Sequence, residues 1–254
     1  MDSASRWTIL SASEIGSRVR HEDHSSISVV KARRRTYVTA AVCDGIGSMP
    51  GSKVVAQELV VASQWQMKCL LKSSRTHDLR KSLAAKRVQS VYRQLPNRIS
   101  ATTDLGSTLV QVVTNGGSWT AVWAGDSRAY SLHLDGTMEM LTTDHSTPHG
   151  SLTSYIRGDG HIVGTLSSRS GHSALHATCI CLTSDGVHDA CSREELRAFL
   201  VYCVHKIRAN GTFKQDLAAF LSSNVSDNFT MCIAFNQKLV NSIRSLGSRV
   251  FLDS

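Results

Sequence analysis

Carboxylates suited to a hard divalent cation recur along almost the whole chain. They stand in short signatures: Arg18-Val-Arg-His-Glu22-Asp23, Val42-Cys-Asp44-Gly45, Gly125-Asp126-Ser127-Arg128-Ala129, Thr183-Ser-Asp185-Gly186-Val-His-Asp189 and Asp227-Asn228-Phe-Thr230. Each sets an Asp at the end of an apolar, β-prone run or in the turn beside one. Mg²⁺ and Mn²⁺ take oxygen ligands and retain several waters. Carboxylates brought together from distant strand ends therefore point to metal-assisted hydrolysis rather than to a binding module.

The elements that must carry these residues follow from periodicity. Strands are expected over Ile27–Val30 and over Tyr37–Cys43, the latter running into Asp44-Gly45. A glycine-bearing loop, 47–52, leads into a helix over about Lys53–Leu71 with Val54, Val55, Leu59, Val61, Ala62 and Trp65 apolar. A second helix is expected over about Asp78–Gln94, ended by Pro96. Asn115-Gly116-Gly117 and Asp135-Gly136 are hairpin turns between four short strands. Residues 142–173 are polar, with little periodicity, and are expected to form a flap. A strand over Ala174–Thr183 runs into Asp185. Ser192-Arg-Glu-Glu195 and Thr212-Phe-Lys-Gln215 read as capping boxes opening two helices, and Phe229–Phe235 is a last strand. Strands and helices in segregated runs imply an α+β fold of packed layers, with no repeat and no linker, hence one domain over residues 1–254.

Composition narrows the class. Hydrophobic residues make up 41% and charged residues 19% of the 254, as in a soluble globular protein. No run approaches the ~20 apolar residues that span a bilayer, and Met1–Leu10 lacks the apolar segment of a signal peptide. A cytoplasmic location without membrane attachment is expected. The seven cysteines are odd in number and lie mostly in apolar runs, which reads as buried reduced thiols. The net charge of +8 is dispersed, and its tight cluster, Lys31 to Arg35, reads as a hairpin tip. Without a basic stripe or aromatic platforms, no nucleic-acid partner is expected.

Taken in order, the motifs resemble the metal-dependent protein phosphatase family, the type 2C serine/threonine phosphatases, in its short bacterial form. Val42-Cys-Asp-Gly-Ile-Gly, Gly106-Ser-Thr108, Gly125-Asp-Ser-Arg-Ala, Asp144-His-Ser146, Ser184-Asp-Gly and Asp227-Asn228 stand in the family's order. The resemblance implies a four-layer αββα sandwich, two central antiparallel sheets flanked by helix pairs. It implies two Mg²⁺ or Mn²⁺ ions, with Asp44 bridging both, the Gly45 carbonyl completing one shell, and Asp185 and Asp227 holding the other. Glu22 and Asp23 would orient bound waters, and Asn228 would position Asp227 or a water. Arg18 would fork onto phosphate oxygens, a bidentate task that Lys does poorly. Asp104 and Asp189 are candidates for a third ion. The implied activity is hydrolysis of phosphoserine and phosphothreonine in proteins by direct water attack. A cognate Ser/Thr kinase and a monomeric state are implied with it.

Two departures bear on rate. Ile46 stands after Asp44-Gly45, where some members carry His as leaving-group acid, and His21 stands where Asn is common. His21 and His145 are the candidate substitutes. Asp126 and Arg128 are expected to be structural, Asp126 accepting backbone or Arg hydrogen bonds, and Asp144-His145 to order the flap. One rival is a serine hydrolase built on Gly125-Asp126-Ser127 with Asp185 and His188. Another is a regulatory, phosphoprotein-binding module of the same fold, which the retained carboxylates disfavour.

Overall fold

Side chains alternate between the two faces of a strand, and here that alternation decides the layers. The computed structural model describes residues 7–32, 35–49, 51–73, 104–172, 179–206, 212–221, 225–237 and 240–241. One sheet runs in the order β1 (Trp7–Glu14), β13 (Phe229–Asn236), β12 (Cys179–Thr183), β7 (Arg128–Leu132), β8 (Met138–Met140). The other runs β11 (Ser167–His172), β6 (Ser118–Ala124), β5 (Leu109–Thr114), β3 (Arg35–Cys43), β2 (His24–Ala32). All pairings are antiparallel. Ala40, Val42, Val110, Val112, Ala121 and Trp123 of one sheet meet Ala129, Ile180, Leu182 and Cys232 of the other in one buried cluster between the sheets.

The alternate residues face outward onto helices. Cys43, Leu109, Val122 and Ala124 pack under Val55, Ala56, Leu59, Val60 and Ala62 of α1 (Ser52–Ser73). Gln64 pins the same helix down: its Oε1 accepts from Ser28 Oγ at 2.9 Å and Thr39 Oγ1 at 2.7 Å. Val54, Val61 and Trp65 instead lie on the exposed face of α1, so half of the apolar positions named from sequence are not its packing stripe. On the opposite side Cys179, Cys181, Met231, Ile233 and Phe235 pack under two helices, Arg193–Lys206 and Phe213–Leu221. These are α3 and α4; α2 is the single helical turn Asp185–His188. Helix, sheet, sheet, helix is the expected αββα sandwich. The helix expected over Asp78–Gln94 lies outside the described residues. No helix among those described is long and apolar enough to cross a membrane.

The capping box at α3 forms, with Ser192 N donating to Glu195 Oε2 at 2.7 Å and Glu195 N to Ser192 Oγ at 3.2 Å. At α4 the partner differs. Thr212 Oγ1 donates to Asp216 Oδ2 at 2.8 Å, so the threonine hydroxyl engages the acid one residue beyond Gln215. Segment 142–173 is more ordered than its sequence implies. It carries β9 (Tyr155–Arg157), β10 (Ile162–Val163) and β11, with β9 pairing to β4 (Gly106–Ser107). An edge strand joins through its backbone, so Ser167 to His172 can be polar and still pair along β6. Gly171 allows that approach, since a Cβ there would lie 2.5 Å from the Trp119 ring.

Candidate active site

Four strand ends and one loop converge at one end of the sandwich around a cleft of about 800 Å³. Arg18, Arg20 and Glu22 come from the loop between β1 and β2. Asp44 and Gly45 follow β3, Asp126 follows β6, Asp185 follows β12, and Asp227 and Asn228 precede β13. Asp23 lies fully buried directly behind this lining.

The backbone of Asp44 is fixed by the Gly106-Ser-Thr108 motif. Asp44 N donates to Thr108 Oγ1 at 3.0 Å, and Asp44 O accepts from Thr108 N at 2.8 Å and from Ser107 Oγ at 2.9 Å. Gly45 must be glycine: a Cβ would lie 2.9–3.0 Å from the backbone of Ser52, Glu22 and Lys53. The Asp185 turn and the Asp227 loop are locked together in the same way. A Cβ on Gly186 would stand 2.0 Å from the Asn228 carbonyl oxygen. Ser184 Oγ donates to Asp23 Oδ2 at 2.7 Å and accepts from Thr230 N at 2.9 Å. Asn228 uses its whole amide. Oδ1 accepts from Glu22 N at 2.8 Å, and Nδ2 donates to Ile15 O at 2.8 Å and Arg20 O at 2.9 Å.

Asp23, Asp44 and Asp185 form a row in which Asp44 is within hydrogen-bonding range of both others. Burial, then mutual repulsion, raises Asp44 well above the usual carboxylate range. Burial and the charges of Asp126 and Asp227 push Asp185 up to about 7, and burial raises Asp23. Asp23 Oδ1 and Asp185 Oδ1 are buried without a hydrogen-bond partner. Three crowded carboxyls, two with orphaned oxygens, stand beside Arg18, which also pairs with Asp227, and a hard divalent cation suits that donor set. Among the described residues no three acidic, His or Cys side chains are already gathered as a cage. Mg²⁺-type ions, which keep several waters and take one or two carboxylates each, do not require one.

Other sequence candidates fall elsewhere. Asp104 and Asp189 do not line the cleft, whereas Asp126, expected to be structural, does. Arg128 pairs with Asp144 rather than with Asp126, its Nη2 donating to Oδ2 at 2.7 Å. Asp126 instead stands partly buried with its pKa raised by burial and nearby carboxylates. Its place right after a β-strand, as for Asp44, was the signal that could have found it. His145 ties the flap: it lies 2.9 Å from Ser167 Oγ through Nε2, and its carbonyl accepts from Thr153 N. His21 bonds Ser13 Oγ at 3.0 Å. No histidine among the described residues lines the cleft. Ser127 is buried on Thr108 Oγ1 at 2.7 Å, and His188, pushed down to about 3 by burial and Arg128, sits on Thr183. The serine-hydrolase constellation therefore does not assemble.

Comparison with known proteins agrees with this arrangement. Residues 12–222 match the family model described as Protein phosphatase 2C. No curated protein sequence matches. Among solved structures, serine/threonine phosphatase Stp1 from Staphylococcus aureus aligns with TM-score 0.69 at 18% identity over 92% of this chain and 97% of its own. PppA from Pseudomonas aeruginosa aligns with TM-score 0.64 at 21% identity over 92% and 99%. The catalytic domain of the phosphatase PstP in complex with two manganese ions aligns with TM-score 0.63 at 23% identity over 90% and 97%. These likenesses show the fold. With the family model matching most of its length, the chain belongs to the protein phosphatase 2C family, a family of metal-dependent phosphatases.

Proposed function

We propose that this protein hydrolyses phosphoserine and phosphothreonine in proteins, using two Mg²⁺ or Mn²⁺ ions. The observation that carries the reading is the crowded row Asp23–Asp44–Asp185, with orphaned carboxyl oxygens on Asp23 and Asp185, whose members Asp44 and Asp185 line the same cleft as Arg18. Asp44, the Gly45 carbonyl, Asp185 and Asp227 would hold the ions, with Glu22 and Asp23 orienting their waters. Bound divalent cations supply Lewis acidity and lower the pKa of water near the phosphoryl group.

The chain's own residues do the rest. Arg18 presents a guanidinium fork to two phosphoryl oxygens. Thr108, Ser107 and Ser184 hold Asp44 and Asp23 through their hydroxyls, so the carboxylates need not rearrange when substrate arrives. Water oxygen bonds to phosphorus as the bond to the Ser or Thr oxygen breaks, giving inorganic phosphate and a free hydroxyl. With Ile46 in the cleft and no histidine among the described residues lining it, the leaving oxygen would take its proton from water. The phosphorylated protein would be the product of a Ser/Thr kinase, and the sites of Asp104 and Asp189 would have no part in the central chemistry.

The test is phosphate release from a phosphothreonine peptide with Mn²⁺, Mg²⁺ or EDTA, in the wild type and Asp44→Asn. Metal-dependent release lost in the variant supports the proposal. Release that persists in EDTA and in Asp44→Asn overturns it, and peptide binding without turnover favours a phosphoprotein-binding module.

A further inference from the structure

The cleft contains two arginines in unlike situations. Arg18 is held by the Asp227 carboxylate. Arg20, also on the cleft wall and exposed, has no ion-pair or side-chain hydrogen-bond partner among the described residues. Its backbone is nevertheless fixed, because Asn228 Nδ2 donates to Arg20 O at 2.9 Å. Between the two, Val19 is 96% exposed, while Met49, Leu152 and Tyr155 supply further apolar surface in the same cleft. An unpaired guanidinium on a fixed backbone, beside carboxylates it does not engage, is placed for an anion that arrives with the substrate.

We propose that Arg20 forms a second anion subsite, selecting phosphorylated segments that carry another negative group within one or two residues of the phosphorylated one. This rests on the phosphatase reading above. The spacing follows from geometry. Residues two apart have Cα atoms at most about 7 Å apart, and an extended peptide advances ~3.3 Å per residue. A phosphoryl group on Arg18 thus brings the neighbouring side chains of the peptide into reach of Arg20. The second anion is a carboxylate or a second phosphate, and Val19 contacts the peptide between the two.

The experiment compares phosphothreonine peptides flanked by Ala with peptides carrying Glu, Lys or phosphoserine at each of the two positions on either side. kcat/KM is measured with Mn²⁺ in the wild type, Arg20→Ala and Arg20→Glu. For the phosphoserine peptides, mass spectrometry reads which phosphate leaves first. The wild type is expected to favour a Glu or phosphoserine peptide over the Ala peptide about fivefold, the scale of an exposed ion pair. That ratio falls to near one in Arg20→Ala, turns towards Lys in Arg20→Glu and shrinks with added salt. A gain with phosphoserine alone assigns the anion to a second phosphate, and a gain with Glu assigns it to an acidic side chain. A wild type indifferent to flanking charge, or a preference that survives Arg20→Ala, overturns the subsite. Absence of turnover on every peptide would instead overturn the phosphatase reading, and the same ratios, taken from Kd by fluorescence anisotropy, would then decide the subsite.

Discussion

Arg18 and Asp227, 209 residues apart in sequence, face one another as an ion pair at the mouth of the cleft, Nη2 donating to Oδ2. The same two side chains are the candidates for binding phosphate and for holding a cation. Each therefore limits the other. Removing the guanidinium frees Asp227 and takes a positive charge from beside the acidic row. Arg18→Ala is expected to tighten Mn²⁺ binding, read by calorimetry, while lowering kcat/KM for a phosphopeptide by about 10- to 100-fold, the scale of a charge-assisted hydrogen bond. Weaker Mn²⁺ binding in the variant would show that the pair supports the site rather than competing with it.

The acidic row sets a pH dependence of unusual sign. Asp23, Asp44 and Asp185 all have folded-state pKa values above the ordinary 3.8, Asp185 at about 7. Between those limits the folded chain keeps protons that the unfolded chain has released. Stability in EDTA therefore falls as pH rises above about 4 and through about 7, where Asp185 releases its proton. Thermal unfolding across that range checks the slope. Asp44→Asn, which removes one raised carboxyl from the row, should make that slope shallower.

Cation binding must expel those protons. With Asp185 at about 7, Mn²⁺ titrated at pH 6.5 should release protons, seen as a binding enthalpy that changes with the ionisation enthalpy of the buffer. At a free Mn²⁺ of 100 times Kd the fold gains about 2.7 kcal/mol. An unfolding midpoint indifferent to Mn²⁺ would contradict cation binding at the row.

Gly186 is predicted to be irreplaceable even by alanine. The added Cβ would meet the Asn228 carbonyl at 2.0 Å and push the Asp227 loop away from Asp185. Overpacking on this scale costs about 1–3 kcal/mol, and Gly186→Ala should lose Mn²⁺ affinity along with stability. A variant that keeps wild-type Mn²⁺ affinity would show that the two loops need not touch.

Asn228 is satisfied as an amide and cannot be replaced by its acid. In Asn228→Asp a carboxylate would face the Ile15 and Arg20 carbonyl oxygens in place of a donor. Asn228→Ala leaves the Glu22 N–H without its acceptor. Denaturant unfolding should show a loss of roughly 1–3 kcal/mol for either, with Asp the worse of the two.

Much of this was legible in the sequence, for physical reasons that differ from residue to residue. Short apolar, β-prone runs along Tyr37–Cys43 and Phe229–Phe235, and the glycine turns at Gly116 and Gly136, mark strands because both faces of these central strands are buried. Asp44, Asp185 and Asp227 were legible as residues just beyond or before such strands. β1 was not, because Trp7–Glu14 is a mostly half-buried edge strand whose partner, β13, lies at the far end of the chain. β11 was not, because its six residues are polar, pairing with β6 through backbone and polar side chains, and carry no apolar alternation. Asp126 was expected to accept backbone or Arg hydrogen bonds; it has a backbone bond, while the arginine two residues on reaches Asp144 instead.

The pairing of β1 with β13 sets Trp7 opposite Asn236 and Glu14 opposite Phe229. From the Glu14–Phe229 end hang the loop of Arg18 to Asp23 and the pair Asp227-Asn228, so neither half of the cleft is shaped without the other. During synthesis β1 must wait for Phe229–Asn236 to leave the ribosome before it finds its neighbour. Contacts so distant along the chain form late and slowly. A chain terminated before Asp227 thus lacks one wall of the cleft, which is complete only once β13 joins the sheet.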